Sequence, residues 1–242
     1  MKRLLGSALL LPVCLALAGP AAAAERNYSV GSFDRLRVEG PFRVVLTTGR
    51  SPSAKAEGDP RATDTIDLRV EGSTLIIRAG VNGWGEQPVS RDAAAPVIRV
   101  STGMIRYATL SGGGDVTITG PLKGQRIELS LSGSGTLRAD GVDADQFVAN
   151  AIGAGTMTLG GRAAKVRLST VGTVAMQAGA LVADDLLLRT DGNGEMVAQA
   201  RATAGITATG VGPVTVYGTP ACTIHGNPAG PVRCGKGPPP AP

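Results

Sequence analysis

The sequence predicts an all-β protein built as a parallel β-solenoid, on three observations. A Gly-x-Gly element recurs about every 20 residues from Gly112 onward, as Gly112-Gly113-Gly114, Gly133-Ser134-Gly135, Gly153-Ala154-Gly155, Gly192-Asn193-Gly194 and Gly210-Val211-Gly212. Apolar residues follow each copy at every second position. The chain of 242 residues holds 35 glycines and 16 prolines, and no stretch keeps a 3.6-residue apolar period for three turns, which excludes long helices. A fixed period of this length marks rungs stacked on one another, none of which buries its apolar face alone.

The chain opens with a leader. Lys2 and Arg3 precede an apolar run from Leu4 to Ala18, and Gly19-Pro20 leads to Ala22-Ala23-Ala24. A basic start, an apolar stretch and a small-residue cleavage site make residues 1–24 a Sec-type secretory signal, outside the fold. The run is broken by Gly6, Ser7 and Pro12 and no second apolar stretch follows, so an integral membrane protein is not expected. Val13 precedes Cys14, a bulky residue where a lipoprotein acylation site usually carries Gly or Ala.

Without Lys2 and Arg3, 22 Lys+Arg stand against 19 Asp+Glu, a net charge near +3. The arginines are scattered singly, as at Arg99, Arg126, Arg138, Arg167 and Arg189, and the whole chain has only seven aromatic residues. With neither a basic stripe nor stacking rings, nucleic acid is not an expected partner.

Residues 25–234 read as one solenoid domain. Within 25–96 the sequence predicts short, partly antiparallel strands: Phe33 to Val38, then Phe42 to Thr48 with Phe42, Val44 and Leu46 on one face, joined through Gly40-Pro41. Ile66, Leu68 and Val70 alternate, and Glu71-Gly72-Ser73 turns into Leu75-Ile76-Ile77, a hairpin. Residues 79–96, rich in Gly, Pro and Ala, form an irregular loop. Rungs and a C-terminal cap fill 97–234, and 235–242 is a proline-rich tail expected to be disordered.

Aligned on the second glycine, the repeats give Gly114, Gly135, Gly155, Gly172, Gly194 and Gly212. Thr170 then replaces the first glycine of the fourth copy, which implies that the second position carries the harder backbone constraint. The pairs Val116/Ile118, Leu137/Ala139, Met157/Leu159, Val174/Met176, Met196/Ala198 and Val214/Val216 follow and are expected to point inward. The irregular N-terminal strands and the Cys222 to Cys234 segment are the expected caps, protecting the open ends from pairing with another chain.

Ser32-Phe33-Asp34-Arg35-Leu36-Arg37-Val38-Glu39-Gly40-Pro41-Phe42-Arg43-Val44-Val45-Leu46, Leu75-Ile76-Ile77, Leu110-Ser111-Gly112-Gly113-Gly114-Asp115-Val116, Leu131-Ser132-Gly133-Ser134-Gly135 and Val214-Thr215-Val216-Tyr217-Gly218-Thr219-Pro220 together resemble the head GIN domain family of autotransporter adhesin domains. The resemblance covers nearly all of residues 30–220. It implies a right-handed parallel β-helix in a secreted or cell-envelope bacterial protein, and it brings no catalytic residues. Thr170 and the two-cysteine extension beyond Pro220 depart from the pattern.

Cys222 and Cys234, with 11 residues between them, are expected to form a structural disulfide in an oxidising compartment, a reactive thiol or a metal ligand being the alternatives. His225 is the only histidine, too isolated for a triad or a zinc site. Asp140, Asp143 and Asp145 are the densest carboxylate cluster, but no neighbouring rung repeats it, so a polar turn is expected before calcium. The Gly-x-Gly elements lead into strands, and a phosphate cradle needs a helix there. Trp84, the only tryptophan, and Arg91 lie in the irregular loop and are candidate contacts for a glycan or protein partner, against a role for Trp84 in covering an edge.

No catalytic, cofactor or metal residue is thus expected. The leading expectation is a non-enzymatic exported β-solenoid of the cell envelope, adhesin-like, contacting protein or glycan, and residing in the periplasm, at the outer membrane or outside the cell. A carbohydrate-active β-helix enzyme would need paired acids on consecutive rungs, which the sequence does not place. A ligand-free periplasmic scaffold is the third class.

Overall fold

The computed structural model describes residues 24–80, 96–235 and 237. All but the last residue of the expected leader, Trp84 and Arg91 lie outside them. The described strands are β1 (Ala24–Tyr28), β2 (Arg35–Glu39), β3 (Arg43–Thr48), β4 (Ser53–Gly58), β5 (Ile66–Glu71), β6 (Thr74–Ala79), β7 (Val97–Thr102), β8 (Tyr107–Gly112) and β9 (Asp115–Thr119). The later ones are longer because they bend around corners: β10 (Leu122–Gly133), β11 (Thr136–Gly153), β12 (Thr156–Gly172), β13 (Ala175–Gly192) and β14 (Met196–Ala208). The short strands β15 (Val214–Gly218), β16 (Ala221–His225) and β17 (Val232–Cys234) finish the fold. One five-residue helix, α1 (Pro60–Asp64), interrupts the strands. Asp59 accepts from the Ala62 amide before Pro60, which needs no amide partner at the first helical position.

Two parallel stacks define the solenoid. The first sheet runs β6, β2, β8, then the C-terminal arms of β10 to β14, then β16. The second runs β7, β3, β9, then the N-terminal arms of β11 to β14, then β15 and β17. Leu122–Gly124 against Val142–Ala144 opens a short third side. Alternation sends one set of side chains inward. Leu129, Leu131, Ala149, Ala151, Leu168 and Leu188 line one wall and Val116, Ile118, Leu137, Leu159, Met157 and Met176 the other, all essentially inaccessible.

The N-terminal strands are more regular than expected. β2 and β3 are a full rung, lying between β6–β7 and β8–β9 in parallel register. The antiparallel pairs are β1 with β4, β4 with β7, and the β5–β6 hairpin turning at Gly72-Ser73. These close the N-terminal end.

The register of the fourth repeat differs from the sequence alignment. Gly172 pairs with Gly153 and Gly192, so it belongs to the first glycine column, with Gly112 and Gly133. Val174 occupies the second column: Thr156 pairs with Ala175, which sets Val174 on Gly155, and Met176 pairs with Met196, which sets it under Gly194. The inward pair of that rung is therefore Met176/Ala178, and Thr170 replaces no glycine but points into the core. Both columns are tight, for different reasons: in the second, a β-carbon on Gly135, Gly155 or Gly194 would stand 1.9–2.3 Å from a backbone carbonyl oxygen of the rung below. In the first column Gly40, Gly112, Gly133, Gly153, Gly172 and Gly192 all hold positive φ, from 98° to 152°. The second column has no such angle and accepts Phe42 and Val174, both buried. Successive rungs turn the same corner there, and only a residue without Cβ takes that dihedral with a backbone directly below it.

Candidate contact surface

The outward side of the first sheet carries three columns set by the same register. One reads Val148, Arg167, Leu187, Gly205 and Thr223; the next reads Ser130, Asn150, Ser169, Arg189, Thr207 and His225; the third contains Ser132, Ile152, Val171 and Asp191. Strand alternation explains the exposed aliphatics. Leu186, Leu187 and Leu188 are consecutive, so only the outer two can be buried, and Leu187 is left 54% exposed. Ile152 and Val171, paired across β11 and β12, stand out in the same way at 55% and 45%.

The surface is hollowed beside Leu187. Gly205 offers no side chain in the next rung, and Leu187 Cδ2 leans to within 3.0 Å of where its β-carbon would be. One hollow of about 370 Å³ is lined by Asn150, Arg167, Leu187, Arg189, Thr207 and His225, among others. A second, of about 350 Å³, reaches round the corner past Gln146, Lys165, Asp185 and Thr203. They share Val148, Arg167 and Leu187, so together they form one trough along the face.

Three cations line it without an acidic partner among the described residues. Arg167 and Arg189 make no ion pair among the described residues, and neither does Lys165. Asp185, which lines the second hollow, accepts from the Thr203 hydroxyl at 2.6 Å. A free guanidinium presents a planar fork of donors matched to a carboxylate or phosphate. Aliphatics flanked by two such groups make a surface that suits an acidic partner.

The carboxylate cluster singled out in the sequence behaves otherwise. Arg138 donates to Asp140 at 2.7 Å, and Arg162 donates to Asp143 at 2.9 Å with Lys123 4.0 Å away. The Arg162 hydrogen bond holds the Asp143 carboxyl below the usual range, and that carboxyl in turn raises Arg162. Asp140 and Asp143 each face a cation while Asp145 makes no ion pair among the described residues, and among the described residues no three His, Cys, Asp or Glu side chains are grouped to hold a metal ion. His225 is the last residue of β16 and lines the trough.

Cys222 and Cys234 are bonded, with Cα atoms 6.3 Å apart. Cys222 sits over buried Ala204 and Cys234 over buried Val216, so the disulfide bridges the two sheets as the last layer of the core. The trough residues Arg167, Leu187, Arg189 and Asn150 were not legible as a site from the sequence. The triple leucine was the available signal, since alternation cannot bury three in a row.

Among the described residues no helix is long and apolar enough to cross a membrane. The family model for the "Putative auto-transporter adhesin, head GIN domain" matches residues 32–220. Crystal structures share the architecture. A "putative adhesin" from Bacteroides fragilis has a TM-score of 0.73 at 18% identity, covering 90% of this chain and 96% of that one. A "putative lipid binding protein" from Parabacteroides distasonis has 0.69 at 17%, covering 90% and 98%. A "putative adhesin" from Parabacteroides merdae has 0.65 at 15%, covering 89% and 97%. At these identities the likeness speaks for the fold alone. A search of curated proteins finds no match. With more than three quarters of its length matched by one family model, the chain belongs to the head GIN domain family.

Proposed function

We propose that the protein is a non-enzymatic, exported contact module of the cell envelope, adhesin-like, that holds an acidic protein or glycan along the outer face of its first sheet. The observation that carries this reading is the trough, where exposed Leu187 lies between Arg167 and Arg189, two guanidiniums without an internal counterion. Interface centres combine apolar anchors with arginine in this way. The family's adhesin description and the leader read from residues 1–24 support an envelope or extracellular setting.

The rigid scaffold suits the role. Every described strand of the face is fixed by a parallel ladder, so a partner meets a preordered backbone and little main-chain freedom is lost on contact. Pull-down of envelope fractions with the wild type and with Arg167→Ala/Arg189→Ala tests the reading. Capture by the wild type, weakened at least about tenfold in the variant and by added salt, is expected. Equal capture by both would remove this face from the function. Protease or periodate treatment of the fraction identifies the partner as protein or glycan.

A further inference from the structure

The C-terminal end of the solenoid is built differently from the N-terminal end. The family match stops at Pro220, and β16 begins at Ala221. The last rung, β16 and β17 with its disulfide, thus lies beyond the residues that the family model matches. Among the described residues β16 pairs only with β14, in unbroken register, and all five of its residues are exposed. Ile224 lies over buried Ile206 yet is itself 48% exposed, because no further rung among the described residues covers it.

We propose that this rung is a self-association surface through which two copies of the chain stack end to end about a two-fold axis, β16 against β16. Edge strands that must stay unpaired are usually guarded by charge, proline or a bulge. The outermost strands at the other end follow that rule: β1 carries Glu25 and Arg26, and β5 carries Asp67, Arg69 and Glu71. β16 reads Ala-Cys-Thr-Ile-His, with no Lys, Arg, Asp, Glu or Pro. Its free amides and carbonyls can therefore be met by another strand.

The occupant is a second copy for two reasons. Pro238, Pro239 and Pro240, which follow Gly237 in the sequence, have no amide hydrogen to extend a ladder over this edge. An uncharged strand also complements itself across a two-fold, whereas docking this end on the charged N-terminal edges of the next copy would strand their ions in a ladder. The contact thus closes as a dimer and does not run on into a fibre. The Cys222–Cys234 bond holds both halves of the rung in place for it.

Sedimentation and light scattering of the purified protein test this. The wild type is expected at the mass of two copies at micromolar concentration. Ile224→Lys, which sets a charge in the contact, is expected to weaken association about tenfold or more. Ala221→Lys repeats the test without touching the layer over Ile206, and Leu187→Lys on the lateral trough is expected to leave the dimer intact. Three outcomes would overturn the proposal: a wild-type monomer at every concentration, masses that grow beyond two copies, or dimers untouched by both end variants. The Arg167→Ala/Arg189→Ala comparison is read separately, so the two proposals fail independently.

Discussion

Gly153 is seated so closely on Gly133 that a β-carbon added to it would stand 2.4 Å from the Gly133 carbonyl oxygen. Its φ of 120° adds a second penalty for any side chain. Strain of about 1–2 kcal/mol and crowding of similar size place Gly153→Ala at roughly 3 kcal/mol of lost stability. Gly113, in the middle of its corner, has a normal φ, and a methyl there would meet only the Ser134 hydroxyl, at 3.4 Å. Gly113→Ala is therefore expected to be neutral or to gain about 0.5 kcal/mol by restricting the unfolded chain. Thermal melts separate the two, with the Gly153 variant lower by about 6–12 °C for a domain of this size.

Thr170 and Thr190 share a buried hydrogen bond of 3.0 Å between their hydroxyls, inside a column of otherwise apolar side chains. Removing one partner orphans the other. Thr190→Val is expected to cost about 1–3 kcal/mol, while Thr170→Val/Thr190→Val is expected to return near wild type because no polar group is then left unpaired. Chemical denaturation of the three variants reads the coupling.

The disulfide closes a loop of 12-residue separation. On chain-entropy grounds its removal by Cys222→Ser/Cys234→Ser costs about 3 kcal/mol. Rungs contact only their neighbours, so the loss is expected to be local. Hydrogen exchange is expected to rise in β16, β17 and the adjoining arms of β14 and β15, leaving β10 to β12 protected.

Acid weakens two ion pairs. The Arg106 guanidinium donates to Asp34 and Arg162 donates to Asp143, each holding a carboxyl below its ordinary value of 3.8. A depressed folded pKa gives stability that is present above the unfolded value and lost as pH falls through the folded one. Melting temperature is thus expected to be flat above about pH 5 and to fall below about pH 4. Asp34→Asn should flatten that fall while lowering the plateau.

Most of the rung architecture was legible because period-two burial and a 20-residue repeat write directly into residue type. Met157, Leu137 and Val116 declare their inward faces, and Cys222 and Cys234 their bond. The fourth rung misled because Gly172 has a neighbour two residues on, Val174, where every other copy after Gly112 has glycine. Spacing alone cannot tell which column tolerates a side chain, since that depends on φ at each corner. Gly40 escaped notice for a related reason: Phe42 takes the second place in its rung, so no Gly-x-Gly appears. The trough was hidden because Asn150, Arg167 and Leu187 follow one another at separations of 17 and 20 residues and meet only through rung pairing.

The central claim is that the outer face of the first sheet receives the partner. Hydrogen exchange of the protein alone and with a captured envelope partner tests it most directly. The account predicts added protection in the C-terminal arms of β11 to β14, around Arg167, Leu187 and Thr207, with the second sheet unchanged. Protection confined to the second sheet, around Thr117, Arg138 and Thr158, would contradict it.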